Sequence, residues 1–203
     1  MSRDIQTASF GERLEHLHKL IGSQKFLNME GLSNEVPFFI VPYKPVEAND
    51  MEKIRKQLIS RLESDGVEIL DVNLYDISHE ILSSEGDWEW ACTETSKHKL
   101  KEDLQGILDS ESVLIPAVAD KMAESTFDVM FLSGVGEVFP YIRSHNVLNN
   151  LQKSAKDKPT VMFFPGQYTH SLAKGASLDL FAPSIELRDD KYYRADNIYD
   201  RII

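Results

Sequence analysis

Phe127-Asp-Val-Met-Phe-Leu132 runs into Ser133-Gly-Val-Gly136, and after a mixed stretch from Glu137 to Lys158 a second apolar run, Thr160-Val-Met-Phe-Phe164, closes on Pro165-Gly166. An apolar run, a glycine-bearing turn, a segment of helical period and a second apolar run read as two buried strands joined by a helix. Strands buried on both faces belong to a sheet covered by helices on both sides, and such a sheet carries its functional loops at the carboxyl ends of its strands. The expected class is α/β: three layers, with a mostly parallel sheet of about four to six strands flanked by helices, in a single domain spanning 1–203.

Upstream, Phe10, Leu14, Leu17 and Leu20-Ile21 recur at three- and four-residue spacing before Gly22, which predicts an amphipathic helix within an N-terminal helical segment, 1–30. Val36-Pro-Phe-Phe-Ile-Val41 reads as a strand ended by Pro42 and Pro45. Asn49 then offers an N-cap with Glu52 three residues on, and Met51, Ile54, Leu58, Ile59 and Leu62 form one stripe that stops at Asp65-Gly66. Val67-Glu-Ile-Leu-Asp-Val72 supplies the next strand, so 36–72 reads as a first β-α-β unit and the sheet as parallel at its start. The region 76–123 reads as helical and acidic, interrupted at Gly86, Gly106 and Pro116, with its best stripe at Leu100, Leu104, Ile107 and Leu108. Trp88 and Trp90 point together if that stretch is extended and apart if it is helical. The opening stretch forms the second unit, 127–166, with Phe139, Ile142, Leu148 and Leu151 packing its helical segment and Pro140 suited to a first turn. A C-terminal extended segment, 178–203, holds Leu178 to Ala182 and Tyr192-Tyr-Arg-Ala195.

With 203 residues the chain can bury one substantial core. It contains no apolar run of about 18 residues and its N-terminus lacks the apolar core of a signal peptide, so the expected location is the cytoplasm, without a membrane anchor. The single cysteine, Cys92, can form neither an internal disulfide nor a multi-thiolate metal site. Residues 63–111 hold fourteen acids against Lys97, Lys99 and Lys101, so this segment accounts for the whole net charge of −11. Phosphate backbones are held by Lys and Arg that displace counterions, and an acidic flank repels them. Direct DNA binding is not expected. A solvated helical face explains the acids most simply, and a docking surface for a basic partner is the sharper alternative.

Candidate chemistry clusters at the strand ends. Ser133, Gly134 and Gly136 stand where a dinucleotide or phosphate loop belongs, but the third glycine of that fingerprint is replaced by Phe139, and Glu137 sets a negative charge at the helix start. A nucleotide- or phosphate-ligand-binding domain using the Ser133–Gly136 loop therefore stands as the second reading. Ser133 lacks the glycine-x-serine-x-glycine elbow of a nucleophile, since Phe131 occupies the first glycine's place, and His145 and His170 are its only nearby candidate bases in the sequence. Asp71, Asp76, Glu80 and Glu137 could converge near the strand ends as a metal-dependent hydrolase or nuclease, the third reading, although no His or Cys spacing marks a metal site. Catalytic, cofactor and metal residues are accordingly not assigned.

Phe131-Leu-Ser-Gly-Val-Gly-Glu-Val-Phe-Pro-Tyr-Ile-Arg-Ser-His145, Leu148-Asn-Asn-Leu151, Val161-Met-Phe-Phe-Pro-Gly166 and Tyr192-Tyr-Arg-Ala195, taken in that order, resemble the BrxB family of bacteriophage-exclusion (BREX) systems. Gln167 after Pro-Gly and Asp196-Asn197 in the closing segment depart from that family's pattern. The resemblance implies a non-enzymatic core component of an anti-phage defence system. It implies a small adaptor without cofactor that binds a phosphatase-fold PglZ-type protein, alongside a BrxC-type AAA ATPase and a PglX-type methyltransferase. It also points to Arg143, Phe164, Pro165, Gly166, Tyr192, Tyr193 and Arg194 as a fixed edge that presents a partner surface or serves an internal role.

Overall fold

The computed structural model describes residues 5–30, 37–171, 175–181 and 195–201, and its strands fall on the apolar runs in an order the runs do not reveal. They are β1 (Phe38–Tyr43), β2 (Ile69–Asn73), β3 (Val129–Ser133), β4 (Thr160–Ser171), β5 (Gly175–Leu180) and β6 (Asp196–Asn197). β2, β3, β4, β1 and β6 lie side by side in that order, all parallel, and β5 pairs antiparallel with the outer half of β4. The expected α/β class and mostly parallel sheet are what the structure has. The helices are α1 (Phe10–Ile21), α2 (Gln24–Leu27), α3 (Ala48–Ser64), α4 (Leu74–Glu85), α5 (Trp88–Thr93), α6 (Lys97–Ile107), α7 (Ile115–Glu124) and α8 (Ser144–Ser154).

Period two divides the strands between two cores. Phe39, Val41, Val129, Phe131, Val161 and Phe163 pack under Leu14, Leu17, Ile21, Ile54, Leu58 and Leu62 of α1 and α3. Their neighbours Phe38, Ile40, Met130, Leu132, Met162 and Phe164 face the other way, onto Leu82, Leu104, Val118, Leu148 and Leu151. The result is three layers, with α1–α3 on one face and α4–α8 on the other. α1 starts at a capping box, in which the Ser9 N–H donates to Glu12 Oε2 at 3.0 Å.

Several local expectations are corrected. β1 and β2, the strands of the first β-α-β unit, are not neighbours, because β4 and β3 lie between them. α3 begins at Ala48 without a side-chain cap; the reciprocal contact sits one turn earlier, where the Lys44 N–H donates to Glu47 Oε2 at 3.2 Å, and Asn49 lies inside the helix. Pro42 does not end β1 but pairs with Phe164 within it. The Pro37 carbonyl accepts from Thr160 on the β4 side, so position 42 turns its nitrogen to the opposite flank, where β6 covers only Phe39 and Ile40 and no ladder bond is lost. Nor does Pro165-Gly166 close β4, which runs on to Ser171 to form the hairpin with β5. Pro140 belongs to the loop before α8, after a cis Phe139–Pro140 peptide, and Gly106 lies inside α6. Trp88 and Trp90 are helical and point apart: Trp88 stacks edge-on with His79 at 4.4 Å, while Trp90 lies beneath Lys99. Tyr192, Tyr193 and Arg194 lie outside the described residues.

Candidate functional site: a strand-end cleft under α3

Tyr43, Asn73 and Ser133 sit at the carboxyl ends of β1, β2 and β3, Phe163 lies in β4 opposite Val41, and all four share one parity, so they lie on the face that α3 covers. The first turns of α3 stand over them with Ala48, Asn49, Met51, Glu52 and Arg55, and the loop after β3 adds Gly134 and Glu137. Together these residues enclose a cleft of about 250 Å³. That is smaller than the ~300–1,000 Å³ usual for drug-sized ligands.

One wall is an ion network. Arg55 Nε and Nη2 donate to the two Glu52 oxygens at 2.9 and 2.7 Å, and Nη1 donates to both oxygens of Asp71 on β2. Burial opposes the Arg55 charge, but the hydrogen bonds from Glu52 and Asp71 outweigh it and raise the guanidinium pKa. Glu52 is held below the usual carboxylate range, first by its hydrogen bond to Arg55 and further by Lys56, whose Nζ lies 3.2 Å away. Arg55 and Lys56 thus balance Glu52 and Asp71. Glu137 forms no ion pair among the described residues. Its charge and that of Glu52 add to burial in pushing the Tyr43 hydroxyl up to about 12, so Tyr43 stays protonated at neutral pH.

The floor is fixed by a glycine. Gly134 adopts φ +77, and a Cβ there would run into the Asn73 amide, whose Oδ1 accepts from Tyr75 N at 2.8 Å and Asp76 N at 3.4 Å to cap α4. The Gly134 carbonyl accepts from Glu137 N at 3.0 Å and Val138 N at 3.3 Å. The Glu137 and Val138 amides, at the exit of the loop, are therefore taken up within the turn, and Glu52 and Glu137 line the same space. Both features run against the phosphate reading of Ser133, Gly134 and Gly136. A Cβ on Gly136 would meet Pro165 at 2.9 Å and Phe181 at 3.0 Å, so that glycine serves packing as well.

Ser133 is 6% exposed and its Oγ has no hydrogen-bond partner. Of its two candidate bases, His145 is buried in α8, across the sheet, and the side chain of His170 lies outside the described ones. Of the expected acids, Asp71 is tied to Arg55, Asp76 sits in the first turn of α4, and Glu80 pairs with Lys121 at 2.8 Å. Among the described residues no group of three or more His, Cys, Asp or Glu is placed to hold a metal ion, and no helix is long and apolar enough to cross a membrane.

The motif residues divide by role. Phe164 is fully buried, Pro165 pairs with Tyr43, and a Cβ on Gly166 would collide with the Asp179 carbonyl, so these three lock β4 to its neighbours. Arg143 is exposed immediately before α8. Tyr43, Asn49, Glu52, Arg55 and Asn73 were not singled out from the sequence as site residues; the Glu52/Arg55 spacing of three on a helix and the charge of Asp71 inside a strand were the available signals. The large hydrophobic side chains exposed among the described residues are Val46 (90%), Tyr75 (38%) and Phe181 (44%). Val46 lies in the link from β1 to α3, Tyr75 follows Asn73 by two residues, and Phe181 packs on Phe139 of the loop after β3, ring centres 5.9 Å apart. Each thus lies within three residues of a strand's carboxyl end.

Fold and site together define a three-layer α/β protein whose strand-end cleft is lined by carboxylates, hydroxyl-bearing residues and aromatic residues. The family model described as "BREX protein BrxB" matches residues 70–198, and over nearly the whole length the chain is similar to two curated proteins of that name. The one from Bacillus cereus (strain H3081.97) is 32% identical over 197 residues, covering 94% of this chain and 97% of that one. The one from Escherichia coli O9:H4 (strain HS) is 28% identical over 186 residues, covering 90% and 88%. The chain belongs to the BrxB family of BREX proteins. No solved structure matches it significantly.

Proposed function

We propose that this BrxB-family chain acts in its BREX system as a non-enzymatic adaptor that grips a PglZ-type protein by the strand-end rim and so helps assemble the methyltransferase and ATPase components. The observation that carries this reading is that the exposed large apolar side chains, Val46, Tyr75 and Phe181, each follow closely on the carboxyl end of a strand, β1, β2 and β5, with Phe181 packed on Phe139 of the loop after β3. Exposed apolar side chains grouped at a concave site, aromatic ones above all, are what protein interfaces select. The Arg55 network supports the same view, because its carboxylates are engaged by cations in holding α3 to β2. In co-elution at micromolar concentration, the full chain and the PglZ-type protein of its own system form one peak. Val46→Asp combined with Phe181→Ser splits that peak while the melting temperature stays within a few degrees. Two folded proteins that never associate would refute the proposal.

A further inference from the structure

The cleft inside that rim has a chemistry of its own, and we propose that it is a socket for one organic cation, the guanidinium or ammonium head of an arginine- or lysine-like group. The inference rests on the adaptor reading only for the source of that group, which is expected to be a side chain of the partner. Three observations converge. First, Ser133 lines the cleft and is more than nine-tenths buried, and its Oγ lacks a hydrogen-bond partner, although buried polar groups are normally satisfied. Second, once Arg55 and Lys56 are set against Glu52 and Asp71, the Glu137 carboxylate remains without a cation among the described residues, and it lines the same cleft as Tyr43. Third, Tyr43 and Phe163 contribute aromatic rings to the same wall, and ring faces attract cations.

A guanidinium or ammonium brings only donors, and the cleft offers acceptors in Glu137, Ser133 and the Asn49 amide oxygen. An anion would meet two carboxylates. A nucleotide would need more room than about 250 Å³. One arginine or lysine head group fits within about 250 Å³, and a seated partner would exclude water from the pair.

The test has two arms. In the first, the labelled full chain is titrated with methylguanidinium and n-butylammonium while its amide resonances are followed by NMR, with neutral acetamide as the control. Saturable shifts confined to Ser133, Gly134, Glu137 and Asn49, absent with acetamide and reduced at least tenfold in apparent affinity by Glu137→Gln, are the expected result. In the second arm, Glu137→Gln and Ser133→Ala are tested for affinity to the PglZ-type partner. A tenfold loss assigns the cation to the partner's side chain; unchanged partner affinity beside a responsive first arm assigns it to a free small cation. Failure of the pair to form at all refutes the adaptor and leaves the first arm to decide the socket. Resonances that ignore both cations up to high millimolar concentration, with partner affinity untouched by Glu137→Gln, overturn the socket.

Discussion

Two hollows of the same electrical sign lie on opposite sides of the sheet. The groove beside α5 and α6 is the larger, about 520 Å³, and is walled by Asp87, Trp90, Glu102, Asp103, Gly106 and Ile107. The strand-end cleft has half that volume. In the groove the charges are local and wet: Glu102, 63% exposed, has His98 Nδ1 at 3.1 Å, and Lys99 lies 5.9 Å above the Trp90 ring while its Nζ contacts Glu94 at 2.9 Å. In the cleft the charges join α3 to β2 across the layers, and a buried hydroxyl is left over. Size and acidity therefore do not distinguish a site from a solvated face. What distinguishes them is whether polar atoms have been taken out of water without being given partners.

If the cleft is a built structure, its floor should be the most sensitive point. Gly134→Ala forces a side chain onto a left-handed backbone at about 1–2 kcal/mol and pushes on the amide that caps α4, itself worth about 1 kcal/mol. Denaturant unfolding should show a loss of about 2–3 kcal/mol. A variant as stable as the parent would mean that the Asn73 cap is not held from below.

Tyr43 tests the next level. Its hydroxyl ordinarily ionises near 10 and in the fold near 12, so between those values the unfolded chain releases a proton that the folded chain retains. The stabilisation is complete below pH 10 and disappears as the pH rises toward 12, an effect on the order of 2 kcal/mol. Absorbance titration of the folded protein should show a late tyrosinate step that Tyr43→Phe removes. A Glu137→Gln variant should bring the step earlier, since one of the charges that raises it is gone. Arg55→Met comes third. It abolishes hydrogen bonds to two carboxylates, but Glu52 and Asp71 are each more than a third exposed and regain water, so about 1–2 kcal/mol is expected rather than the larger cost of stranding a buried charge. A loss beyond 4 kcal/mol would show that the network is the main bond between α3 and β2.

The same contrast explains what could be read from the residues alone. Strand and helix positions follow from spacing within a few residues: Phe38 to Val41, Met51 to Leu62 and Val129 to Leu132 each declare their period, and Asp65-Gly66 stops α3 where a left-handed glycine is needed. Strand order does not, because nothing local to Val67–Val72 says that β3 and β4 will come between it and β1. Pro42 and Pro165 misled because a proline is judged by the hydrogen bond it removes, and which flank of a strand is occupied is settled by distant chain. The cleft was hidden for the same reason: Tyr43, Arg55, Asn73, Ser133 and Phe163 meet only after four strands are aligned. Ser133, Gly134 and Gly136 are legible as a motif, yet the roles of the glycines in packing against Asn73 and Pro165 depend on neighbours far away in sequence.

The groove offers the smallest effect and the sharpest discrimination. Gly106 occupies the interior of α6, where glycine costs roughly 0.5–1 kcal/mol relative to alanine, and nothing lies within 4 Å of where its Cβ would be. Among the described residues no contact requires it. Gly106→Ala should stabilise the protein by about 0.7 kcal/mol, a rise of a few degrees in melting temperature at most. If the groove is only a solvated face, the variant should also bind the partner unchanged. A variant that gains stability yet loses partner affinity would show that another chain approaches the α6 backbone there, and would move the interface from the strand ends to the acidic side of the molecule.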